Sequence, residues 1–183
     1  MSEELLVRHC SPTLAGMKTG NLFGCPFATA REMTQDVRRL NSVLVKKGLR
    51  VLPLQYQNGR ALLYVYRPAQ LSRDLQQATA CRLLRERGYD AAAPEHCITR
   101  LMQRLRTSEE FPHEIGLFLG YPPEDVCGFI ENKAGGCKCT GCWKVYGDAD
   151  AAQKLFAKYK KCTDVYCALY AQGRSIERLT VTV

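Results

Sequence analysis

Ala30, Met33, Val37, Leu40 and Leu44 recur at the spacing of one helical face. Thr29 and Glu32 form a T-x-x-E capping box ahead of them, and Gly48 stands where a C-terminal cap belongs. The pattern predicts a helix between those signals. Residues 49–56 and 60–67 then read as two strands turned about Asn58-Gly59, a dipeptide that supplies the positive φ angles of a tight hairpin. The second run, ALLYVYR, is dense in β-formers, and Pro53 marks the first strand as an edge or as bulged.

Pro68 opens a second long helix, predicted to about Arg87, with Leu71, Leu75, Ala78 and Leu84 inward and Gly88 as its stop. Pro94 opens a third, with Ile98, Leu101, Met102 and Leu105 on one face. Asp148 caps a helix from Ala149 to about Tyr170 that buries Leu155, Phe156 and Tyr159. At the start, Ser2 to Arg8 predicts a short helix ended by Pro12. A polar loop follows from Thr13 to Pro26, with a short strand at Asn21 to Gly24. Gly135-Gly136 breaks the chain before a short strand at Trp143 to Tyr146, and Leu179, Val181 and Val183 alternate on a final strand. The expected fold is α+β (α/β-like) in one domain, residues 1–183, with helices packed on a small mixed sheet that contains the hairpin at 49–67.

No apolar run reaches the roughly 18 residues that span a bilayer, and MSEELLVRH lacks the basic and apolar stretches of a secretory signal. A soluble, cytoplasmic protein is expected, with most of its ten cysteines reduced. The net charge of +8 is unevenly spread. Six carboxylates and no Lys or Arg lie between Thr107 and Asn132, whereas seven Lys against two Asp lie between Lys133 and Lys161.

The acidic stretch contains FPHEIGLFLGYPPEDVCGFI, Phe111 to Ile130, with one of three histidines. Pro112 suits the first position of a helix, where its missing N–H has no partner to lose. Glu114 then meets the positive end of the helix dipole. Tyr121-Pro122-Pro123 closes this helix and opens another, with Glu124 and Asp125 in its first turn. Gly116, Gly120, Val126 and Phe129 fall at helix-turn-helix spacings, but the second helix offers no Arg, Lys, Asn or Gln before Asn132. Base and phosphate contacts need those donors, so DNA binding is the least expected function and a scaffolding hairpin is the better reading. For His113 beside Glu114, an acid–base pair, a pair of metal ligands and a plain hydrogen-bonded histidine all stay open.

A second polar cluster runs from His9-Cys10-Ser11-Pro12-Thr13 to Lys18-Thr19-Gly20-Asn21. A cysteine nucleophile with a nearby histidine is conceivable there. Gly16-Met17-Lys18-Thr19 is not a phosphate loop, which needs Gly-x4-Gly-Lys-Ser/Thr; an anion held by Lys18 and a structural turn both stay open. Cys137, Cys139 and Cys142 give C-x-C-x2-C, three of the four ligands that a zinc or iron–sulfur site uses. Metal binding (iron or zinc), a redox or disulfide role, and reduced thiols without a role are the alternatives.

RHCSPTLAGMKTGNLF, FPHEIGLFLGYPPEDV and GCWKVYGD, in this order, resemble an uncharacterised bacterial domain-of-unknown-function family of anaerobes over nearly the whole chain. Members are often encoded near flavodoxin and ferrous-iron transport genes, so the resemblance implies a link to iron supply or low-potential electron transfer. It carries over no catalytic residue. The family holds Trp143-Lys144-Val145-Tyr146 more regularly than the cysteines and often has Tyr at the position of Cys142, which weakens the iron–sulfur reading.

The leading expectation is a cytoplasmic accessory protein of iron or redox metabolism that acts by binding a small ligand or a flavodoxin-like partner. His9, Thr13, Lys18 and Asn21 would converge with His113, Glu114 and Tyr121 on one ligand pocket. The basic tract from Lys133 to Lys161 would meet an acidic redox protein such as a flavodoxin. The alternatives are an enzyme that uses His9, Lys18, His113 or Glu114 on a small anionic substrate, and a thiolate metalloprotein of Cys137, Cys139 and Cys142.

Overall fold

The computed structural model describes residues 2–91, 93–108 and 110–182. Among them the chain forms nine α-helices and two antiparallel sheets, an α+β fold. The order begins α1 (Glu3–Leu14), β1 (Gly20–Pro26), α2 (Ala30–Leu44), β2 (Arg50–Gln57), β3 (Arg60–Tyr66), α3 (Pro68–Leu75) and α4 (Ala78–Glu86). It continues α5 (Pro94–Thr107), α6 (Ile115–Phe118), α7 (Pro123–Glu131), β4 (Cys139–Thr140), β5 (Lys144–Val145), α8 (Ala149–Ala171) and α9 (Ile176–Leu179). The chain packs as two compact units: Met1–Ala69 with Tyr159–Val183, and Gln70–Lys158. No helix among the described residues is long and apolar enough to cross a membrane.

The first unit is built on the sheet β1-β3-β2. Asn58 (φ 49°) and Gly59 (φ 70°) make the hairpin turn that their sequence predicts. Pro53 lies on an edge strand and also at a bulge, where the register shifts between Pro53 and Gln55. The sheet is wholly antiparallel, not mixed. β1 and β2 run the same way around α2, but β3 returns between them and pairs antiparallel with both, a split β-α-β arrangement. Asn41 on α2 bonds both backbone groups of Val51, donating to its carbonyl at 2.9 Å and accepting from its N–H at 2.8 Å. That contact occupies part of the open edge of β2. The core sets Leu6, Val7, Cys10 and Leu14 of α1 and Met33, Val37, Leu40 and Leu44 of α2 against Phe23, Val51, Leu63 and Val65 of the sheet. Thr29 caps α2 by accepting from the Glu32 N–H at 3.2 Å, and Gly48 (φ 75°) closes the 3-10 turn Val45–Lys47 that continues it.

Three local expectations fail in ways that packing explains. Helix α1 runs through Pro12 to Leu14, because Cys10 and Leu14 belong to the same buried face as Leu6 and Val7 and tertiary burial outweighs the missing N–H. The polar loop is correspondingly short, and β1 spans Gly20–Pro26. The end of the chain is helical at Ile176–Leu179, with Ser175 accepting from the Arg178 N–H at 3.4 Å. Ile176 and Leu179 are buried and Val181 is 46% exposed, while Val183 lies outside the described residues. Spacing of three outcompetes a brief alternation once Ile176 has a core to enter.

In the second unit the helix expected from Pro68 to Arg87 is two helices, broken at Gln76-Gln77. Leu71 and Leu75 face inward on α3, whereas Ala80, Leu83 and Leu84 do so on α4. One continuous helix cannot keep both sets on a single face, and Ala78 is exposed. Helix α5 buries Cys97, Ile98, Leu101 and Leu105. Asp148 caps α8 as expected, accepting from the Ala151 N–H at 3.0 Å.

Candidate ligand-binding cleft

Glycines allow α6, α7 and the β4–β5 hairpin to approach one another closely. A Cβ on Gly116 would stand 2.8 Å from Val126 Cγ2 and 3.1 Å from the Tyr121 ring. Gly120 (φ 73°) turns the chain, and Pro123 occupies the first turn of α7. A Cβ on Gly128 would lie 2.5 Å from Tyr146 Cγ, and one on Gly141 2.2 Å from the Phe156 ring. These two glycines bring the hairpin down onto α7 and α8.

Asp125 locks that approach. It is 3% exposed, and both oxygens accept hydrogen bonds from the hairpin. Oδ2 accepts from the Trp143 indole N–H at 2.7 Å; Oδ1 accepts from the backbone N–H groups of Tyr146 at 2.7 Å and Gly147 at 2.8 Å. A charged acceptor with three donors in a water-poor setting makes the strong class of hydrogen bond. The two motifs FPHEIGLFLGYPPEDV and GCWKVYGD are thus one physical unit.

A cleft of about 290 Å³ opens between them. This is near the lower end of small-molecule pockets, roughly 300–1,000 Å³. Its walls are largely aromatic. Trp143 stacks on Tyr121 with ring centroids 4.7 Å apart and planes 27° apart, and meets Phe156 edge-on at 4.6 Å. His113 packs on Phe129 at 4.9 Å. Ile115, Gly116, Val126, Thr140, Gly141 and Lys144 complete the lining together with Asp125. The Lys144 ammonium donates to the Ala134 carbonyl at 2.6 Å, which fixes the end of that side chain. The Tyr121 hydroxyl donates to the Cys142 carbonyl at 3.3 Å. Burial, and then the neighbouring Cys142 thiol, push the Tyr121 phenol up to about 12.

The seven residues expected to share one pocket divide between the two units. In the second, His113 and Tyr121 line the cleft and Glu114 does not. Glu114 is fully buried; its Oε1 accepts from the Tyr89 hydroxyl at 2.7 Å and lies 3.0 Å from Arg104 Nε. Burial first, and then the bond to Glu114, raise the Tyr89 phenol far above its ordinary range. Glu114 also does not sit inside a helical turn as expected. Helix α6 begins only at Ile115, and Pro112 precedes it. In the first unit Thr13 donates to Asn21 Oδ1 at 2.7 Å, which joins two of the expected residues. Lys18 is 4% exposed and its ammonium donates to the Gly20 carbonyl across the turn. His9 is exposed on α1 and stacks on Phe23 at 5.2 Å.

Cys137, Cys139 and Cys142 lie on and beside the hairpin, with Cys137 Sγ 3.6 Å from Thr140 Oγ1. Among the described residues no three His, Cys, Asp or Glu side chains are grouped to hold a metal ion. Burial raises the thiols of Cys10 and Cys97, Cys97 to about 11, which makes both poor nucleophiles. Helices α6 and α7 pack closely, with Val126 against Gly116.

Sequence reasoning placed Asp125 in the first turn of the second helix, where it lies, and missed its role. The available signal was a carboxylate directly before Val126 in an apolar run. Phe129, Thr140 and Gly141 carried no signal that would have placed them in a site.

The family described as "Protein of unknown function (DUF3793)" matches residues 6–180. Comparison with curated proteins finds no match, and neither does comparison with solved structures. The chain belongs to that family.

Proposed function

We propose that this member of the family acts by binding, and that the cleft of the second unit takes a small, flat, largely apolar ligand. One observation carries the reading: a 290 Å³ cleft walled by the rings of His113, Tyr121, Phe129 and Trp143. Stacked aromatic walls favour a ring system of similar thickness, by about 0.5–1.5 kcal/mol per ring pair beyond the area buried. Binding fits better than catalysis because the nearby carboxylates are already engaged. Asp125 holds three hairpin donors, and Glu114 pairs with Arg104 and Tyr89. The metabolic setting proposed is iron or redox metabolism, as the resemblance implies.

Trp143 is the only tryptophan of the chain, so its fluorescence reports on the cleft directly. Titration with a panel of fused-ring compounds (flavin mononucleotide, adenine, indole and naphthalene derivatives), checked by calorimetry, tests the proposal. Saturable quenching with a micromolar Kd, about −8 kcal/mol, is the expected result. No response to any member of the panel refutes it.

The second reading, an acidic redox partner such as a flavodoxin, is favoured by the exposed Lys133, Lys138, Lys154 and Lys158 of the same unit. Such an association weakens as salt rises to about 0.3 M. Salt-independent association, or none, counts against it.

A further inference from the structure

The polar groups that face the cleft are unequal in kind. Its one carboxylate, Asp125, accepts three hydrogen bonds from the hairpin that forms the wall, so its charge is answered within the protein. The other polar residues of the lining all carry a donor: half-buried Lys144, exposed His113 and Thr140, and Tyr121 and Trp143, whose hydroxyl and indole N–H are bonded to Cys142 and Asp125. Lys144 has three N–H groups and is half-buried, with its contact to the Ala134 carbonyl anchoring the side chain. A half-buried cation beside aromatic walls attracts an anion more strongly than an exposed one does, because less water screens it.

We infer that the ligand of this cleft is a flat aromatic acid, its ring between the aromatic walls and its carboxylate on Lys144 and His113. The inference rests on the proposal that the cleft binds a flat ligand, and adds the ligand's charge. A neutral ring of the same shape fills the same volume but leaves the ammonium without an anion. A charge-assisted hydrogen bond is roughly twice as strong as a neutral one, so the acid form gains and the amide does not. A cationic ring would face Lys144 directly and is disfavoured.

The test compares 2-naphthoate with 2-naphthamide, two probes of one shape and different charge, by calorimetry on the full chain. The same pair is then measured on Lys144→Met, which keeps the aliphatic stem, and on Lys133→Met, an exposed lysine outside the lining. The acid should bind about tenfold tighter than the amide to the wild type and to Lys133→Met, and less than about threefold tighter to Lys144→Met. Equal binding of the two probes to the wild type overturns the charge inference and leaves the cleft reading standing. An acid preference that survives in Lys144→Met overturns the assignment to that residue. An acid preference lost equally in Lys133→Met does the same, since it reports general basic attraction. If neither probe binds the wild type, this inference is overturned, and the cleft reading is decided by the wider ring panel. Should Lys144→Met not fold, as judged by circular dichroism, Lys144→Gln replaces it; the wild-type comparison needs no variant.

Discussion

Replacing Asp125 with Asn tests the contact on which the cleft depends. The substitution keeps volume and shape and changes only charge and one acceptor. With its amide oxygen toward the Tyr146 and Gly147 N–H groups, the Asn turns an NH2 group onto the Trp143 indole N–H, donor against donor. Hydrogen bonds to a charged acceptor contribute about 1.5–3 kcal/mol each, and a buried donor left unpaired costs about 1–3 kcal/mol. Trp143 is 8% exposed, so water cannot readily replace the lost acceptor. The sum is a loss of roughly 3–5 kcal/mol, against a total stability of about 5–15 kcal/mol for an ordinary protein. At about 2–4 °C per kcal/mol for a chain of this size, the midpoint should fall by about 10 °C. The assay is urea and thermal unfolding followed by Trp143 emission, which reports this unit alone because the chain has one tryptophan. The folded variant should also emit to the red of the wild type and bind the cleft ligand more weakly. A variant within about 0.5 kcal/mol of the wild type, the range of an ordinary surface substitution, with unchanged emission would refute the reasoning.

Gly141→Val should destabilise by about 1–3 kcal/mol or more, since even its Cβ would stand 2.2 Å from the Phe156 ring; unfolding at the wild-type urea midpoint would show the argument to be wrong. Arg67 is 2% exposed, and its guanidinium donates to the carbonyls of Thr13 at 2.8 Å, Leu14 at 2.8 Å and Val181 at 2.8 Å. Arg67→Met strands those acceptors and should cost about 3–5 kcal/mol, read by circular dichroism in urea; a loss below about 1 kcal/mol would mean that water serves them as well. The Tyr121 phenol, raised to about 12 in the fold from about 10 in the unfolded chain, contributes stability that is full below pH 10 and lost as pH rises toward 12. Wild type should therefore lose stability relative to Tyr121→Phe across that interval, and a constant difference would exclude the effect.

Local rules sufficed wherever an element is specified by neighbours in the chain. The cap at Thr29, the stop at Gly48, the turn at Asn58-Gly59 and the bulged edge at Pro53 all stand as the sequence predicts. Each depends on contacts within a few residues or on a backbone angle that one residue type permits. The α+β class and the family were legible for the same reason: spacing and motif are written along the chain.

Tertiary structure decided the rest. Periodicity tells which face of a helix is buried, but not what it is buried against. It therefore could not show α1 passing through Pro12, the break at Gln76-Gln77, or Ile176 drawing the chain end into a helix. Nor could it separate two carboxylates that look alike in sequence. Glu114 and Asp125 both sit near helix starts in one acidic stretch, yet Glu114 is paired with Arg104 and Tyr89, and Asp125 with Trp143, Tyr146 and Gly147. Those partners lie 10 to 25 residues away, and a charge is buried or solvated according to what folding brings to it.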